Sequence, residues 1–439
     1  MPAVDGLRAG FARRDITQPL GTPSSLGLFT AVTEIWDPLT ATAAVVESGS
    51  TRIVLVGLDL CGLLEASHRS IREAVASGTG IPASDVILNV SHSHSAPYIS
   101  ADLQELLRPF GLRVHDDDHA ARLERAVVQA VGEAADRAAP VGAAVGRGLV
   151  DRVAGNRRPR LPDGRTVHRY GRPPDELRAL PEGLIDPEVA VVRFDGRDGR
   201  AVGAILSYSC HPTASGLGIP TNVSADFVGH GRTAIEAEFR MPCLFLQGCA
   251  GNQGTGKWVS GTPWEDTVAM GERFARGIAE GLRSARRVAD GSMTISRTRL
   301  PLQLDPFPPL AELEERFARA ATEHGFADIV SLGDALVLAH RLDELGSAPI
   351  TTIALGPELA LAVLPGEVFL EHGQAVRAGS PFVETIVAAY NDNTLQYIPT
   401  AAAFPDGEYE VDGGWRYIRP GEGERMADEA VRLLVGQSR

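Results

Sequence analysis

The chain has 439 residues, 44% of them apolar and 22% charged, with 42 basic against 56 acidic side chains and a formal charge of −14. That composition is ordinary for a globular protein with a large core, and the acidic balance argues against nucleic acid or an anionic membrane surface as a partner. No stretch approaches the roughly 18 uninterrupted apolar residues of a membrane span, the N-terminus lacks a basic start followed by an apolar run, and the four cysteines form no Cys-x-x-Cys pair; the reading is a cytoplasmic protein with free thiols.

Arg52–Leu60 is a continuous apolar run and predicts a buried strand, followed at helical spacing by Ala66–Ser77. Asp85–Val90 predicts a second buried strand, ending at the polar segment Ser91–Pro97. Asp117–Arg137 predicts an amphipathic helix of about five to six turns. Ala201–Ser209 reads as a strand ending at Cys210-His211-Pro212, Ser224–Phe239 as a helix, and Met241–Gln247 as a strand entering a glycine-rich loop. Glu265–Arg287 is a long helical pattern, and Pro309–Gly346 is helical with a break near Gly325. Thr351–Leu364 holds one or two strands before Pro365-Gly366, Glu384–Tyr390 is a further strand, and Gly423–Val435 a closing helix.

Strands and helices interleave, so the class is α/β with mixed sheets and flanking helices. Residues 1–439 read as a single domain, with the helical stretch 309–346 as an insertion. Two long loops, Asn156–Asp186 (rich in Arg, Pro and Gly) and Thr400–Glu424 (rich in Gly and aromatic residues), point to function by their length.

Chemistry concentrates where predicted strands end. Ser91-His92-Ser93-His94-Ser95 follows one buried strand, and α/β sheets place ligands at strand carboxyl ends. If the strand persists, His92 and His94 face the same side. Either both bind a metal or one binds while the other moves protons; the plainer reading is a polar loop of hydrogen-bonded histidines. His211 ends a second strand, and two strand-terminal histidines converge naturally on one metal. Cys210 beside it points the other way and reads as a buried thiol. Glu367, after Pro365-Gly366, is either an acid favoured by a helix N-terminus or a carboxylate ligand. Gly251–Lys257 satisfies GxxxxGK by letter, but Trp258 follows where a phosphate-binding loop needs Ser or Thr, so the match reads as accidental. Its glycines more naturally let backbone N–H groups approach a substrate oxygen, and Cys249 is a weak alternative nucleophile.

In this order the segments resemble the neutral, non-lysosomal ceramidase family, zinc amidases that release a fatty acid from an N-acyl sphingoid base. Ser91–Pro97 is similar to the family's HTHSGP segment, His211-Pro212-Thr213 to its HPT, and Ser224-Ala225-Asp226 to its SGD. Gln247–Asn252 resembles QGAAGD, Pro365-Gly366-Glu367 matches PGE, and Tyr409-Glu410 resembles a late YE pair. Asn156-Arg157 resembles an NR pair, and Asp15-Ile16-Thr17 the DIT opening. The resemblance implies a ceramidase-like catalytic domain in which His92, His211, Glu367 and Tyr409 hold Zn²⁺. It also implies His94 as proton carrier or oxyanion donor, Arg157 orienting an anionic or carbonyl group, and Tyr409 close to the chemistry.

Three departures accompany the match. Gly254 stands where the family carries a catalytic serine, and Asn252 replaces its acid. The chain ends soon after the YE segment, where ceramidases continue into an immunoglobulin-like domain. No export signal is evident. The expectation is therefore a zinc-dependent hydrolase of an amide (N-acyl) bond in a small polar substrate rather than long-chain ceramide, with no nucleic acid and no stable membrane association. The alternatives are a zinc esterase or lactonase, and a non-catalytic binding protein on the same fold.

Overall fold

The computed structural model describes residues 6–25, 27–216, 221–323, 326–392 and 394–438. Its frame is a nine-stranded mixed sheet facing a four-stranded one. The principal strands of the large sheet are β1 (Leu7–Asp15), β2 (Thr40–Ser48), β3 (Thr51–Leu58), β4 (Val86–Val90), β5 (Ala139–Leu149), β6 (Glu188–Gly196), β7 (Ala201–Tyr208) and β8 (Cys243–Gln247). They lie in the order β8-β7-β6-β5-β1-β2-β3-β4, and Arg286–Arg287 pairs alongside β5. The small sheet runs β9 (Met293–Pro301), β10 (Ser347–Leu355), β11 (Leu359–Val363), β12 (Glu384–Ala388). The α/β class with mixed sheets and flanking helices is what the sequence predicts.

Period-two alternation builds the layers. On β3, Ile53 and Leu55 point between the two sheets and meet Ile353, Leu355, Leu359 and Ile386. Val54, Val56 and Leu58 point the other way, toward helices α1 (Glu65–Thr79) and α2 (Asp117–Asp136). Helices α3 (Asp226–Phe239) and α4 (Pro263–Ser284) cover the same face over β5 to β8 through Phe227, Phe274 and Ile278. The small sheet's outer face carries helices α5 (Leu370–Gly379) and α6 (Glu422–Gln437) through Val376, Met426 and Leu434. The result is helix, sheet, sheet, helix.

Helix α4 starts two residues earlier than its pattern suggests. Thr262 and Glu265 form a reciprocal capping box and Pro263 takes the first turn, where its missing N–H costs nothing. The helix also ends at Ser284, so Arg286–Arg287, read as its tail, belongs to the sheet edge. Helix α4 lies unusually close to β5. A Cβ at Gly146 or Gly148 would run into the carbonyl oxygens of Gly281 or Gly277, so both strand positions require glycine. Helices Leu310–Glu323 and Phe326–His340 pack Leu313, Phe317 and Val330 on Tyr98, Leu103 and Leu107; the expected break at Gly325 lies outside the described residues. Among the described residues no helix is long and apolar enough to cross a membrane.

Candidate metal centre

Most strand neighbours are antiparallel, but β3/β4 and β7/β8 in the large sheet and β11/β12 in the small one are parallel pairs. Their carboxyl ends meet at one place. The Val90 N–H donates to Tyr390 O (3.2 Å), Ala389 N–H to Gln247 O (2.9 Å), Ser91 N–H to Leu58 O (2.8 Å) and Leu364 N–H to Ala388 O (2.9 Å). Buried Asn89 clasps three of these ends: its amide donates to Ala389 O, and its carbonyl accepts from Gln247 N–H at 2.7 Å. The site residues are those that leave these ends.

His92 does not continue the strand. β4 stops at Val90, and His92 has φ 63°, a left-handed conformation that non-glycine residues rarely hold. Tyr390, at the end of β12, has φ 58°. The turn, rather than strand pleat, brings the rings of His92 and His94 together, with their Nε2 atoms 3.3 Å apart.

His92, His211 and Glu367 converge, each buried, with their ligand atoms within 4.8 Å of one another. Glu367 Oε2 lies 3.1 Å from His211 Nε2 and 3.5 Å from His92 Nε2. The other ring nitrogens are committed elsewhere. His211 Nδ1 faces Ala250 O (2.7 Å) and Gln253 O (3.0 Å), and His92 Nδ1 faces Cys61 O. Carbonyls only accept, so both Nδ1 atoms carry the hydrogen and both Nε2 atoms turn lone pairs inward. Burial lowers the pKa of both imidazoles, with Glu367 opposing it at His92, so the neutral form is favoured. Two nitrogen lone pairs then face a carboxylate oxygen, a repulsive set unless a cation sits among them. These donors fit Zn²⁺, which takes neutral imidazole and carboxylate. A second cluster, Cys61, His92 and His94, fits less well, because burial pushes the Cys61 thiol up to about 12.

Tyrosines surround the centre. Tyr390 donates its hydroxyl to Glu367 Oε2 at 3.4 Å, and Tyr170 lies 3.0 Å from His94 Nδ1. Arg157 is fully buried beside them. Its Nη2 donates to Gly251 O (2.6 Å) and Tyr397 OH (3.0 Å) and lies 3.0 Å from Glu410 Oε1, while Nη1 and Nε have no partner among the described residues. Glu410 is also buried and pairs with Arg158 at 2.8 Å. Part-exposed Tyr409 stacks on His168 (5.4 Å) and meets Tyr397 edge-on (5.8 Å). Thus His92, His211, Glu367 and His94 come together, Arg157 stands alongside, and Tyr409 packs on His168 and Tyr397. Tyr170, Tyr390 and Tyr397 escaped the sequence reading. Their only signal was position: a long arginine-rich loop for Tyr170, a strand end for Tyr390.

The glycine-rich loop is anchored by its side chains and supports the site with its carbonyls. Lys257 donates to the carbonyls of Arg178 (2.8 Å) and Leu180 (2.7 Å), which ties it to the 156–186 loop and away from any phosphate. Asn252 accepts from Leu370 N–H (3.0 Å) at the start of α5 and donates to Glu371 (2.8 Å). Gly254 backs onto Arg157, where an added Cβ would lie 3.0 Å from that side chain's Cδ. Cys210 and Cys249 are buried thiols, and burial pushes Cys249 up to about 12.

The sequence profile described as Neutral/alkaline non-lysosomal ceramidase, N-terminal, matches residues 12–249, more than half of the chain. The solved structure of neutral ceramidase from Pseudomonas aeruginosa superposes with a TM-score of 0.75 at 19% identity, covering 100% of this chain and 75% of that one. A structure titled ceramidase complexed with C2 gives 0.72 at 18% identity, covering 98% and 75%. No curated protein sequence matches significantly.

Proposed function

The chain belongs to the neutral/alkaline non-lysosomal ceramidase family, and from that premise we propose that it is a zinc-dependent amidohydrolase acting on a small polar N-acyl substrate rather than long-chain ceramide. The observation that carries the reading is the inward set of two imidazole lone pairs and one carboxylate at His92, His211 and Glu367. Zinc bound there supplies a Lewis acid for the scissile carbonyl and brings a water pKa to about 7. Tyr409 completes the ligand set in this proposal.

The protein's own groups do the rest. In the tautomer we propose, Tyr170 donates its hydroxyl to His94 Nδ1 (3.0 Å) and the His94 proton stays on Nε2, the nitrogen on the His92 side. His94 is thereby placed to hold a proton at the reacting carbonyl oxygen or pass it to the leaving amine. Arg157, whose Nε and Nη1 are buried without a partner among the described residues, is the group we assign to a carboxylate or amide oxygen of the substrate. We expect His94→Ala to retain bound zinc and to lose about 10²–10⁴-fold in rate. Tyr170→Phe should lose roughly 10–100-fold at unchanged zinc content. Loss of zinc from His94→Ala would make that histidine a ligand instead.

The polar walls support a small substrate. Where the two long loops meet, Arg158, Arg160 and Asp406 line a pocket with Asn156, Asn252 and Glu371, where a two-tailed lipid would need apolar cover. The test is a panel of small N-acyl amides, esters, lactones and detergent-dispersed long-chain ceramide. Preferential turnover of the small amides is expected. Preference for ceramide would overturn the substrate proposal, and preference for esters or lactones would replace the amidase reading by the esterase one.

A further inference from the structure

We infer that the cleft between α1 and the edge strand β9 is a binding site for a small phosphate- or sulfate-bearing anion. The cleft has a volume of about 400 Å³ and is lined by Arg72, Arg297 and Arg299 together with Ser84, Thr351 and the acids Glu65 and Asp392. It lies outside the metal centre and none of the chemistry above uses it.

Among the described residues, each arginine uses only part of its guanidinium. Arg72, on α1, uses Nε on Ala83 O (2.8 Å). Arg299 uses Nε on Ser347 Oγ (3.0 Å) and Nη2 on Glu344 O (3.1 Å). Arg297 uses Nη2 on Asp85 (3.0 Å). The nearby acids are mostly engaged. Asp85 answers Arg297, and Glu65 pairs with Arg341 (2.9 Å) and Arg69 (3.5 Å). Asp392 accepts from Thr394 N–H (2.9 Å) and hydroxyl (2.6 Å), and faces Arg72 and Arg299 only at long range. Among the described residues, no carboxylate lies within the 4.0 Å of an ion pair from Arg72 or Arg299. The cleft lining thus sets three guanidinium groups against two carboxylates, of which Glu65 is itself paired with Arg341 and Arg69, with Ser84 and Thr351 beside them, a set that suits tetrahedral-anion recognition.

The strand pattern shows how the cleft arises. Ile295, Arg297 and Arg299 share one face of β9 by pleat, and Ile295 packs between the sheets. Beyond Ile295 the inter-sheet face turns from apolar to basic, where the two sheets part. Inward charges on an edge strand can simply discourage further strand pairing. That accounts for Arg297 and Arg299 but not for Arg72, which reaches the same cleft from a helix.

The cleft floor is Asn391–Asp392, which directly follows Tyr390. The Gly366 N–H donates to Asp392 O at 2.6 Å, one residue before Glu367. An anion held by Arg72 and Arg299 thus rests on the loop that supports the metal-centre carboxylate.

The probe is inorganic phosphate against chloride at matched ionic strength, measured by titration calorimetry and thermal unfolding of the whole protein. Saturable binding at one site is expected, weakened at least about 10-fold in Arg72→Ala and in Arg299→Gln. Arg299 is exposed, so its variant decides the matter if Arg72→Ala fails to fold. Binding should survive His211→Ala, which separates this cleft from the metal centre and the proposed reaction. Absence of saturable binding, or affinity unchanged in both variants, would overturn the site. Variants that keep phosphate affinity but self-associate would assign the arginines to edge protection and overturn it equally.

Discussion

Replacing His211 by Ala is expected to strip the protein of zinc and to lower amide hydrolysis by about 10⁴-fold or more, because the ion loses the most deeply buried of its donors. The ring is fully buried, its Nδ1 is fixed by two carbonyls, and its Nε2 faces Glu367 at 3.1 Å. Glu367→Gln keeps the shape but removes the negative charge, and should weaken zinc binding with a smaller loss of structure. Zinc per chain by elemental analysis, beside far-ultraviolet circular dichroism, separates loss of metal from loss of fold. A folded His211→Ala protein with a full equivalent of zinc would refute the site.

Glu410→Ala is expected to cost about 3–5 kcal/mol of stability, among the largest losses available to one substitution outside the metal centre. Glu410 is fully buried between Arg157 (3.0 Å) and Arg158 (2.8 Å), with His168 Nε2 at 3.5 Å. Removing the carboxylate leaves buried guanidinium charge without its answer. Burial by itself would raise the Glu410 pKa, but Arg157, His168 and Arg158 together hold it well below the usual carboxylate range. The sign of the pH effect follows. A depressed folded pKa contributes stability that is full above the unfolded value, near 4.5, and is lost as pH falls below it toward the folded value. Urea midpoints across that range should show wild type losing its advantage over Glu410→Gln as the medium is acidified. Equal midpoints for wild type and Glu410→Ala at neutral pH would show that the pair contributes nothing.

The sequence exposed the parallel half of the frame and hid much of the antiparallel half. β3, β4, β7, β8, β11 and β12 are buried on both faces and read as unbroken apolar runs. β1, β5 and β9 carry Arg, Gly, Ala and Thr, and their composition imitates loop. In β5 the glycines that break the pattern are the ones helix α4 demands by its closeness. The site was legible for the same reason as the parallel strands: His92, His211 and Glu367 sit just past runs that could be read. The expected pleat relation of His92 and His94 failed because the chain turns left-handed at His92. Tyr170 and Tyr397 reach the centre only through tertiary structure, one from a loop and one from a two-residue strand, and no local period marks them.

The central claim is a zinc ion held between His92, His211 and Glu367. The direct measurement is anomalous diffraction at the zinc edge from crystals of the zinc-loaded protein. One peak is expected, about 2.0–2.2 Å from His92 Nε2, His211 Nε2 and a Glu367 carboxylate oxygen. No peak among these three residues, with His211 Nε2 still resting against Glu367 in zinc-saturated crystals, would contradict it.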